Sequence, residues 1–187
     1  EAERYLLGRI RESLTPSDAP ENAGTAVIWS WDAERGEVVP RTVGVGQAGA
    51  LTAARLAEDL FQLRPGNPEF LRLFLVAGLE NAKRMHGFGR PLPGGDSSMR
   101  AQAAAQGPAV VEEALVWAMQ ERYMGAAIGA AEVLAQIGDA SLLAGDGLTE
   151  SPLARALRHR NRRVRFAAAM AILELDPHRP YPGSSFL

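Results

Sequence analysis

At 187 residues, the chain is long enough for one sizeable domain or two small lobes that share a core. An apolar fraction of 47% beside 22% charged residues excludes a disordered chain, and a net charge of −2 gives no global pull toward nucleic acid or an anionic membrane. The absence of cysteine removes disulfides, thiolate nucleophiles and cysteine metal sites together, and no run approaches the roughly 18 apolar residues of a membrane span. Lys83 is the only lysine among many arginines, which reads as a GC-rich coding bias. Beginning at Glu1 without methionine, the chain reads as a processed or excised piece of something longer, and its compartment is left open between cytoplasm and export.

Glu1 to Leu14 carries Tyr5, Leu6, Ile10 and Leu14 at helical spacing, and a Pro/Asp/Asn/Gly-rich connector follows to Gly24. Thr25 to Trp31 and Glu37 to Val43 have strand composition and predict a β-hairpin, with Pro40 confining the second strand to an edge. Trp29 and Trp31 share one face of the first strand and are expected to pack on the helices that follow. Gly44 to Gly49 reads as a flexible linker. A helix is predicted over Leu51 to Leu63, with Leu51, Ala54, Ala57, Leu60 and Phe61 inward. Asn67-Pro68 then caps a second helix whose stripe is Phe70, Leu71, Phe74, Leu75, Gly78, Leu79 and Ala82.

His86 to Ser98 is a Gly/Pro-rich loop, read as the mobile segment of the chain. Helices are predicted at Met99 to Gln106, Ala109 to Gln120 and Met124 to Ile137, with Gly138 closing the last. The small residues Gly125, Gly129 and Ala130 permit close helix approach. Ser151 and Pro152 start a short helix over Leu153, Ala156 and Leu157. Asn161 caps another, with Val164, Ala167, Ala168, Ala171, Ile172 and Leu175 inward, and Asp176-Pro177 ends it.

The stretch LAEDLFQLRPGNPEFLRLFLVAGL, through Ala57, Pro65, Asn67 and Pro68, resembles the join between two tetratricopeptide repeats, although the likeness covers little more than one hairpin. Ala114-Leu115 matches Ala156-Leu157, and Ala130-Ala131 with Leu134 and Ile137 matches Ala168-Ala169 with Ile172 and Leu175. The two offsets average near 40 residues, the period of HEAT and armadillo arrays. Pro152-Leu153, Val164-Arg165 and Pro180-Tyr181-Pro182-Gly183-Ser184 are similar to bacterial HEAT-repeat proteins, over roughly residues 107–187. Asn161 and Ser185 stand where such families often place acidic residues. The resemblance implies a mainly α chain, an α-α superhelix (HEAT/armadillo-like solenoid) with a small N-terminal β-hairpin. Its divisions are 1–24, a helix and connector; 25–46, the hairpin; 47–98, a TPR-like helical hairpin with its loop; and 99–187, HEAT-like repeats.

Chemistry-bearing patterns are sparse. Gly44 to Gly49 matches G-x-G-x-x-G, but Pro40 and Arg41 spoil the buried parallel strand that a dinucleotide site requires before it. His86, His159 and His178 lack metal-ligand spacing, and Glu112-Glu113 and Glu58-Asp59 point to different helix faces. Ser97-Ser98 and Ser184-Ser185 lie outside any nucleophile elbow. No catalytic, cofactor or metal residue is therefore assigned. Arg155, Arg158, Arg160, Arg162, Arg163 and Arg165 place six arginines in eleven positions, with Glu132, Glu150 and Glu174 as available counter-charges. The expectation is a non-catalytic scaffold or adaptor for protein–protein interaction, its surface formed by Arg155, Arg158, Arg160, Arg162, Arg163, His86 and Arg90. Its partner would be another domain of the same chain or a separate protein. The alternative is a nucleic-acid-binding helical-repeat protein, of the HEAT-like DNA glycosylase type, using the same arginines as phosphate contacts.

Overall fold

The computed structural model describes residues 24–32, 34–144, 149–175 and 181–186. The N-terminal helix and connector expected over 1–24, except Gly24, and the Asp176-Pro177 stop lie outside the described residues.

Strands β1 (Thr25–Asp32) and β2 (Glu37–Gly44) pair antiparallel, with Trp29 opposite Pro40 and Trp31 opposite Val38. The turn is set by Asp32, whose Oδ1 accepts the N–H groups of Glu34 and Arg35 at 3.0 and 3.2 Å, and by Gly36 at φ 66°. Alternation places Val27, Trp29, Trp31 and Val38 on one face, and that face is open to solvent. Trp29 and Trp31 are 60% and 66% exposed, so the expected packing of the tryptophans on the helices is corrected. The reason is positional: β2 runs straight into a helix, which touches both strands without covering the tryptophan face.

That helix, α1 (Val45–Leu63), starts six residues earlier than expected and takes in Gly46 and Gly49. The Gly44–Gly49 stretch is therefore no linker. Gly44 is the extended residue before the first turn, and the Val45 N–H bonds the Gly24 carbonyl at 3.0 Å. The inward face of α1 also differs from expectation. Ala48, Ala50, Ala53 and Ala57 are buried, whereas Leu51, Ala54, Leu60 and Phe61 are half-buried. Ala53 and Ala57 meet Ala77 of α2 (Pro68–His86), and side chains this small let the two helices lie close. Asn67 caps α2, its Oδ1 accepting the N–H groups of Glu69 and Phe70, and Phe61 stacks on Phe74 with ring centroids 4.9 Å apart.

Helices α3 (Met99–Ala105), α4 (Pro108–Glu121), α5 (Met124–Ile137), α6 (Ser141–Ala144), α7 (Pro152–Ala156) and α8 (Arg162–Leu175) follow, then a 3-10 turn at Ser184–Phe186. Ser98 and Ser151 cap α3 and α7 through Ala101 and Ala154. The described residues are thus mainly helical, with one small antiparallel sheet. Helix α5 touches α2, α3, α4 and α8, and ten of its fourteen residues are buried. Glycine makes this possible: a Cβ on Gly125 would come within 2.7 Å of Glu80 Oε2, and one on Gly129 within 3.2 Å of Leu79. Helix α4 also touches α7, so the α4–α5 and α7–α8 hairpins lie side by side. All six residues expected inward on α8 are buried.

Candidate functional site

Lys83 sits on the buried side of α2, and its side chain is wholly shielded from solvent. Its Nζ donates to Glu132 Oε1 at 2.6 Å and to the Arg90 carbonyl at 2.5 Å. The second oxygen of Glu132 accepts the Leu92 N–H at 2.8 Å, and Leu92 itself is buried. A buried ammonium is tolerated only when paired and hydrogen-bonded, and here both conditions are met. The pair draws the backbone of Arg90 and Leu92 onto α5. The Gly/Pro-rich segment expected to be mobile is thus pinned at its middle, and His86 lies not in it but on the last turn of α2.

Pinning this segment creates a trough. Phe88 to Pro91 form one wall, Ile128, Glu132 and Ala135 of α5 the floor, and Arg162 to Glu174 of α8 the other wall, around a cavity of about 790 Å³. Phe166 and Met170 of α8 line it while remaining 68% and 41% exposed, and Leu173, one turn further, is 58% exposed. Residues at i, i+4 and i+7 share a helix face, so α8 carries an apolar stripe toward solvent opposite the face it buries.

Four guanidiniums edge the trough: Arg90, Arg100, Arg162 and Arg163. Among the described residues none of them is paired with a carboxylate. Arg163 lies over the Phe88 ring, 5.6 Å from its centroid, and the Arg100 Nε is buried without a hydrogen-bond partner. Asn161 positions the α8 end, its Oδ1 accepting the Arg163 N–H at 2.9 Å.

The structure therefore divides the arginines that the sequence groups together. Arg162 and Arg163 reach the trough and meet Arg90 there. Arg155 lies elsewhere, near Glu112 of α4, whose carboxyl is raised above its usual range by burial and drawn back by the Arg155 charge. Arg158 pairs with Glu150, and the Arg165 guanidinium is folded back onto the carbonyls of His159 and Arg160. Burial, helped by the charges of Arg160 and Arg165, lowers the His159 pKa, so this ring is neutral near pH 7 and adds no positive charge to the cluster.

Arg100, Phe88, Phe166 and Met170 escaped the sequence reading. The signal present for α8 was an apolar residue on the face opposite its buried stripe. Among the described residues, no cluster of three or more His, Asp or Glu could hold a metal, and no helix is long and apolar enough to cross a membrane. No known protein family, curated protein or solved structure matches the chain.

Proposed function

We propose that this chain is a non-catalytic helical scaffold or adaptor that receives a protein partner in the trough between the 88–91 segment, α5 and α8. The observation that carries this reading is the row Phe166, Met170 and Leu173, exposed on the helix that walls an apolar cavity. Large apolar side chains left in water beside a concave surface mark interaction sites. The HEAT-like reading of residues 107–187 is part of the same proposal, supported by the near-40-residue offsets and by the α4–α7 and α5–α8 contacts. Nucleic-acid binding has less support, because Arg155, Arg158 and Arg165 are directed to other neighbours and Arg163 covers Phe88.

The test is a photo-crosslinking residue placed at Phe166 in the full chain, in cells of the source organism, with Leu63 as an exposed control on α1. A polypeptide adduct at position 166, absent at 63 and lost with Met170→Asp, is the expected result. Adducts to nucleic acid alone, or none at all, would overturn the proposal.

A further inference from the structure

Resting on that reading, we infer that the partner segment is an acidic amphipathic helix, its apolar stripe laid on Phe88, Ile128, Phe166 and Met170 and its carboxylates directed to the arginines around them. Three observations lead there. Charge is the first. Glu132 is matched by Lys83, so Arg90, Arg100, Arg162 and Arg163 face only Glu174 among the trough's own charges. A trough that is positive on a chain of net charge −2 selects for carboxylates locally, and planar guanidiniums receive carboxylates in a two-pronged geometry.

The second observation concerns the backbone. The floor and one wall are helices whose backbone groups bond along their own length, and in the other wall the Arg90 N–H is held by the Gly87 carbonyl and the Arg90 carbonyl by Lys83. An extended peptide needs a run of main-chain partners, which helices do not offer. A helix arrives with its own backbone bonds closed.

Length is the third. From Phe166 to Leu173 the exposed stripe rises about 10 Å along α8, two turns of contact for a helix packed ridge into groove. The cavity's own lining runs along α8 from Arg162 to Glu174, an elongated shape that suits a helical segment.

The probe is a fluorescent designed peptide of about four turns, with leucine at i, i+3/i+4 and i+7 and glutamate on its flanks, titrated into the full chain. A twin peptide carries glutamine in place of each glutamate, and a fluorescent oligothymidylate serves as the nucleic-acid arm. The glutamate peptide is expected to bind at least tenfold more tightly than its twin, to weaken as salt rises toward about 0.5 M, and to lose roughly tenfold with Arg162→Gln or with Phe166→Asp. Both substitutions fall on exposed positions of α8, so folding is preserved, which circular dichroism verifies.

Equal binding of the two peptides would overturn the acidic specificity while leaving the trough a helix-binding surface. Tighter binding of the oligonucleotide than of the glutamate peptide would overturn it in favour of nucleic acid. If neither peptide binds while position 166 still crosslinks a polypeptide, the acidic-helix inference fails and the scaffold reading stands. If both experiments fail, both readings fall.

Discussion

Lys83 and Glu132 are unequal partners, and the inequality can be measured. Lys83 is wholly buried, whereas the Glu132 side chain keeps 24% of its exposure at the trough. Removing the carboxylate strands an ammonium with only the Arg90 carbonyl for company and also frees the Leu92 N–H. Removing the ammonium leaves a carboxylate that water can reach and that still holds Leu92. Glu132→Ala is therefore expected to cost about 3–5 kcal/mol in urea denaturation, and Lys83→Met less than half of that. Equal costs would mean that the pair does not organise the loop. Such residue-scale facts are poorly legible in sequence. A single lysine among arginines reads as coding bias until its 49-residue separation from Glu132 is closed by the fold.

At the scale of elements, α8 and the hairpin show what periodicity can and cannot reveal. The spacing of Val164, Ala167, Ala168, Ala171, Ile172 and Leu175 predicts the buried side of α8, and all six are buried. The same pattern leaves Phe166, Met170 and Leu173 on the other side, and only the neighbouring loop makes that side a wall. For the hairpin, alternation places Val27, Trp29 and Trp31 together, yet alternation is symmetric: it says that one face differs from the other, not which face meets the helices. Here the tryptophan face is the open one. Iodide should therefore quench the fluorescence of Trp29 and Trp31 strongly, while Trp117, half-buried against Tyr123 and Arg72, is spared. The variant Trp29→Ser, Trp31→Ser should remove the quenchable emission and change stability by no more than about 1 kcal/mol. A blue-shifted, unquenched emission from these two residues would contradict the exposed face.

At the scale of the whole molecule, the core is organised around α5. One hydrophobic cluster runs from Phe74 of α2 to Tyr181, and α5 lies in its middle. Isolated helices of this length are marginal in water, so the gain comes from packing several of them on a shared partner. Close approach depends on Gly125, where Glu80 of α2 reaches across to accept the Ala126 N–H at 2.8 Å while its other oxygen binds Arg84. This carboxylate caps the first turn of α5 from a different helix. Gly125→Ala inserts a methyl group within 2.7 Å of that oxygen and is expected to destabilise the fold by about 1–3 kcal/mol, despite alanine's better helix propensity. Denaturant unfolding measures the loss, and faster amide exchange at Ala126 locates it. A stabilised variant would show that α2 and α5 have room to spare.

By itself the sequence determined the starts of α2, α7 and α8 with their caps, though not the start of α1 or the short α6, and also that a hairpin precedes the helices and that small residues on α5 invite close contact. These are properties of neighbours along the chain: side-chain spacing, proline geometry and the hydrogen bonds of Asn67, Ser151 and Asn161. The tertiary structure alone decided that Lys83 meets Glu132, that Arg90 and Arg100 join Arg162 and Arg163 while Arg155 and Arg158 turn elsewhere, and that the tryptophans face water. Those outcomes depend on which surfaces remain once α5 has been enclosed, and a solvent-facing arginine carries the same local pattern whichever neighbour it meets.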